Sequence, residues 1–131
     1  MKTNTNMTIY NRYLEPFTHK TIYKKHLIDN VFWDDSLGVN LNIGYENADK
    51  VNVYIPYNTN DFSTYKNSKE FNGVGWTLQN GDFMIKGETE SGLEEISGIK
   101  ELSNYEVFTM TVCDNKDFGS SNMQHFEIRG N

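Results

Sequence analysis

The chain has 131 residues, a mass of 15.2 kDa and a formal charge of -6, with 12 basic against 18 acidic side chains. That length fits one domain able to bury a core without disulfide or metal support. The acidic balance argues against electrostatic wrapping of nucleic acid, the single cysteine, Cys113, excludes a disulfide framework or multi-cysteine zinc site, and apolar runs such as Val31-Phe32-Trp33 are too short to span a bilayer.

Met1 to Met7 are polar, lack the apolar centre of a secretory signal, and are expected to be flexible. Without export, the sequon at Asn6-Met7-Thr8 has no consequence. Thr8 to Leu14 is echoed by Thr21 to Leu27, as two hairpin arms joined through Glu15 to Lys20 would be. The stretch Thr21 to Asp34 reads as extended, with a bulge near Asp29-Asn30. In the next strand Val51, Val53, Ile55 and Tyr57 share a face, and Pro56 places it at an edge or at its end. Ser63 to Phe71 can form a turn or two of helix. Trp76 to Gln79 and Asp82 to Lys86 flank Asn80-Gly81, a strong hairpin signal because both turn positions tolerate positive φ. Ser91-Gly92-Leu93-Glu94 resembles a capping box opening a short helical piece to Leu102. Glycines 92 and 98 weaken that piece by about 1 kcal/mol each against alanine. Val107 to Cys113 reads as a buried strand. His125 to Arg129 alternates, with Phe126 and Ile128 on one face. Together these elements predict an all-β, mainly antiparallel fold: a single domain over 1–131, built as a small β-barrel or sandwich with one or two short helical pieces.

No motif carries chemistry. Asp34 and Asp35 point to opposite faces of a strand and cannot easily share an ion. The stretch from Asp114 to Gly119 has Lys116 and Phe118 where a calcium loop needs ligands. His19, His26 and His125 are scattered, and Cys113 at the end of an apolar strand reads as a small buried hydrophobe. Gly73-Val74-Gly75 lacks the third glycine of a dinucleotide loop. No catalytic residue, metal site or cofactor is expected.

Aromatics make up 14% of the chain while all hydrophobics reach only 37%. Rings must therefore supply much of the core, and any that point outward suit protein contacts, where Tyr and Trp act as anchors. Asp61 to Gly75 combines weak local order with several aromatics, and is expected to be an arm that orders on assembly. The candidate interface residues are Phe62, Tyr65 and Phe71, with Asn122, Met123 and Gln124 of a second possible docking loop.

Five segments together resemble a known family: Val31 to Asp35, Gly38 to Asn40, Ala48 to Pro56, Trp76 to Gly87, and Asp117 to Ile128. They are similar to small minor-capsid proteins of tailed phages and prophages, the head-closure or head–tail connector proteins. The resemblance implies a small β-barrel without catalysis, made in the bacterial host cytoplasm and located in the virion neck. It would form a ring below the portal, retain packaged DNA and present a surface for the tail. Implied partners are other copies, portal or adaptor proteins and a tail-completion protein, with DNA passing through without sequence-specific binding and no membrane contact. Two alternatives stand beside it. One is a tail-completion or tail-terminator protein. The other is a small acidic phage inhibitor of a host nucleic-acid enzyme, which needs carboxylates gathered on one face, whereas here only Asp34-Asp35 and Glu94-Glu95 adjoin in sequence.

Overall fold

The computed structural model describes residues 3–35, 50–58, 62–116 and 124–131. Seven strands run in chain order: β1 (Thr5–Leu14), β2 (Thr21–Asp34), β3 (Val51–Pro56), β4 (Phe83–Lys86), β5 (Glu95–Ile96), β6 (Phe108–Lys116) and β7 (His125–Gly130). Two short 3-10 helices, Phe62–Thr64 and Ile99–Leu102, accompany them. All strand pairs are antiparallel. β1 pairs with β2 and β4, β4 with β6, β6 with β7, β7 with β3, and β3 with β2, so the ladders return to their start. β5 adds to β2 at Tyr23 and Lys24.

Two strands turn the corners of this circuit. β2 pairs with β1 as far as Val31 and with β3 from Phe32 to Asp34. β6 pairs with β4 at Phe108 and Thr109 and with β7 from Met110 onward. The register slips at both changeovers, opposite Thr5/Met7 and between Met110 and Val112. An extra residue bends a strand and increases its twist, which is what leaving one partner for another demands. At the first slip Asn30 takes a φ of 62°, a left-handed conformation that Asn tolerates better than most residues.

Alternation along β1 divides the core. Met7 and Ile9 enter the larger cluster with Trp33, Val53, Trp76 and Phe126. Tyr10 points the other way, to Phe83, Ile85, Ile96 and Leu102. The excursion from Gly87 to Val107, between β4 and β6, covers this smaller cluster with Leu93, Tyr105 and Val107. Each fully buried side chain of this size contributes roughly 1.5–3 kcal/mol.

The β1–β2 hairpin, the bulge at Asp29-Asn30 and the inward faces of β3 and β7 match expectation. Three expectations do not survive. Trp76 to Gln79 is not a hairpin arm: the turn at Asn80-Gly81 forms, but Trp76 makes a parallel bridge to Tyr65 instead. The backbone of Thr77 is satisfied by a side chain, since the Asn11 amide donates to its C=O at 2.7 Å and accepts its N–H at 3.0 Å. Nor does Ser91 to Glu94 cap a helix. The Glu94 carboxylate accepts the N–H of Gly92, at 3.0 and 3.2 Å to its two oxygens, and the chain then extends into β5. Finally, β1 begins at Thr5, inside the stretch expected to be flexible, and Asn4 pins it by bonds of 3.0 and 2.8 Å to the Trp33 C=O and N–H.

Candidate functional site

Stacked rings gather where β3 and β7 meet the segment after residue 61. Tyr57 stacks on Phe62 at 4.6 Å between centroids, and Tyr65 lies 4.6 Å from Phe126 and 5.0 Å edge-on to Trp76. Trp76 is fully buried, whereas Phe62 remains 38% exposed, so the row runs from core to solvent. Burial pushes the Tyr65 hydroxyl above its ordinary pKa, as expected of a ring serving the core. The segment is tied down by the Lys66 N–H donating to the Trp76 C=O at 2.9 Å. Gly75 (φ 77°) fits there because a side chain would overlap the Thr64 carbonyl oxygen.

Of the residues proposed for an interface, Phe62 and Tyr65 share this row, and Gln124 joins its end, where its C=O accepts the Tyr57 N–H at 3.1 Å. Phe71 lies elsewhere, edge-on to Tyr13 of β1 at 6.2 Å. Asn122 and Met123 lie outside the described residues. The stretch from Phe62 to Gly75 is therefore anchored within the single chain, and only part of it faces outward.

A second apolar surface went unread in the sequence. Past Tyr10, the last residue of β1 paired to β4, the β1–β2 hairpin continues to a tip where Leu14 is 58% and Phe17 91% exposed. The tip is closed by the Glu15 N–H on the Lys20 C=O and the His19 N–H on the Glu15 C=O, both at 2.9 Å, with His19 at a φ of 57°. A large ring next to Pro16 in a tight connection cannot reach either core, and that was the available signal.

The buried polar groups are structural. Asp82 is sealed from solvent and accepts N–H bonds from Asn11 at 2.9 Å, Gln79 at 3.0 Å and the Arg12 backbone at 3.1 Å. Burial raises its carboxyl above the usual range despite these bonds, yet no substrate atom could reach it. Burial, with help from Asp82 and Asp114, pushes the Cys113 thiol up to about 12, which keeps it protonated and poorly nucleophilic. Among the described residues no group of three or more His, Cys, Asp or Glu side chains could hold a metal ion. A polar hollow lined by Thr3 to Asn6, Asp29 and Asn30 opens widely to solvent, with Asp29 as its one ionisable side chain. Among the described residues no helix is long and apolar enough to cross a membrane.

A family model described as a family of unknown function, DUF6751, matches residues 2–131, and the chain belongs to that family. No curated protein and no solved structure matches it.

Proposed function

We propose that this DUF6751 chain is a structural protein of a tailed-phage virion: a head-closure or head–tail connector that forms a ring below the portal, retains packaged DNA and offers the tail its attachment surface. The reading rests on the resemblance carried by Val31 to Asp35, Trp76 to Gly87 and the other segments quoted above. One structural observation supports it most: large apolar side chains, Phe17 and Phe62, stand at the surface on a hydrogen-bonded scaffold, as contact residues do in assemblies. Its partners would be neighbouring copies, the portal or an adaptor, and a tail-completion protein. DNA would pass without sequence-specific contacts, which an acidic chain favours over a basic one. Disrupting the gene should give full-sized heads that fail to join tails or leak DNA. Normal tailed particles from that strain would contradict the assignment.

One observation favours a second reading, the acidic inhibitor. The excursion from Gly87 to Val107 gathers six exposed glutamates: Glu88, Glu90, Glu94, Glu95, Glu101 and Glu106. On that reading the purified protein inhibits a host nucleic-acid enzyme, and reversing those charges abolishes the inhibition.

A further inference from the structure

We propose that the β1–β2 hairpin tip is a docking element whose partner is the acidic excursion of a second copy of this chain, in a head-to-tail contact. This rests on the assembly reading above and names the surfaces that make the ring. Charge is divided unevenly along the chain. Between Arg12 and Lys25 lie four cations (Arg12, Lys20, Lys24 and Lys25) and one carboxylate, Glu15, whereas all other residues together hold eight cations against 17 carboxylates. The hairpin is thus a positive projection on a negative body, and Arg12 and Lys20 are exposed, as Phe17 is.

The excursion offers the complementary surface. Its six exposed glutamates are accompanied by one lysine, Lys100, and beside that lysine Ile99 is 46% exposed. Glu94 and Glu101 are held in place by backbone N–H groups of Gly92 and Ser97. Within one copy the excursion already reaches the outer hairpin at Tyr23 and Lys24, where Lys24 faces Glu95 across the ladder, which leaves Phe17, Lys20 and the exposed Arg12 for a second copy. β5 pairs no nearer the tip than Tyr23, and Lys25 spends its ammonium on the Thr89 carbonyl at 3.1 Å. A two-fold contact of tip on tip would oppose like charges. Tip on excursion opposes unlike charges, and repeated head to tail that contact is heterologous and closes into a ring when its rotation permits. An aromatic knob supplies the apolar anchor, and the opposed charges supply steering and register.

The test is charge exchange in the full-length protein, with mass measured by sedimentation over a range of concentration and salt. Wild type should self-associate, less so at high salt. A tip variant (Arg12→Glu with Lys20→Glu) and an excursion variant (Glu88→Lys, Glu90→Lys and Glu106→Lys) should each associate roughly tenfold more weakly or worse. Phe17→Ala should do the same. All these side chains are exposed, and circular dichroism verifies the fold of each variant. Mixing the two charge variants should restore association, because each then meets an opposite surface on both sides. Wild-type assembly untouched by every variant, or a mixture that stays dissociated, overturns the contact while leaving the ring intact. A wild type that is monomeric at every concentration also overturns it; the neck assignment is then decided separately by the gene disruption.

Discussion

Asn11, Thr77 and Asp82 join β1 to the turn before β4 through side chains rather than a ladder. The Asp82 carboxylate takes three neutral N–H donors, and Asp82→Ala removes the buried acceptor they share, while Asn11 keeps its bond to the Thr77 C=O and Gln79 its bond to the Arg12 C=O. That substitution should cost about 2–4 kcal/mol by urea denaturation. Because burial raises the Asp82 pKa, its contribution to stability is fully present below the unfolded value and lost as pH rises through the folded one. Wild type should accordingly lose stability relative to Asp82→Asn as pH climbs from the ordinary carboxylate range, and parallel pH profiles would contradict this. Glu94 and Glu101 act in the opposite sense. Backbone N–H bonds lower their pKa values, so what they contribute is present above the unfolded value and lost on acidification. Beside this network the Thr77 hydroxyl is buried without a hydrogen-bond partner among the described residues. Thr77→Val, nearly isosteric, should raise stability by about 1 kcal/mol in the same measurement, and a loss of that size would reveal a partner for the hydroxyl.

Among the elements, those with a period of two were legible. β7 buries every second residue, β3 buries the expected Val51, Val53 and Ile55 along with Asn52 and Pro56, and the β1–β2 echo specified a hairpin whose pairing the structure confirms at Leu14↔Thr21. The bulge was legible because Asp29-Asn30 interrupts an extended run, and at that site only the left-handed tolerance of one residue matters. Asn30→Gly should be close to neutral, whereas Asn30→Val should cost about 1–2 kcal/mol in thermal or urea unfolding. Trp76 to Gln79 misled because its alternation is real, while the partner that satisfies it is the side chain of Asn11, 66 residues away in sequence from Thr77. The excursion misled for a similar reason. Its anchor is a hydroxyl on another strand: Tyr10 donates to the Leu93 C=O at 2.8 Å and lies 2.9 Å from the Thr89 hydroxyl. Tyr10→Phe should destabilise by about 1–3 kcal/mol. It should also speed amide exchange in residues 89–102 more than in β6 or β7. A uniform rise would mean that the excursion and the sheet open as one unit.

At the scale of the molecule, six strands among the described residues close on themselves, so few of their ladders stay unpaired to template aggregation. Under the proposed assembly, contacts with other proteins would then fall to loops, turns and the hairpin tip. The all-β class was readable from turn spacing and alternation. The candidate surface was readable only in part: Phe62 was found because it sits in an aromatic-rich stretch, but Tyr65 and Phe71 spend much of their area inside the chain. Phe17 was passed over because a lone ring in a connection has no periodicity to mark it. The proposed assembly role rests on this surface of exposed rings and opposed charges. The most direct measurement is electron microscopy of tailed particles carrying a tag on this chain. The expected result is a ring of label at the head–tail junction, touching the portal. Label at the far end of the tail, or its complete absence from intact particles, would contradict the account.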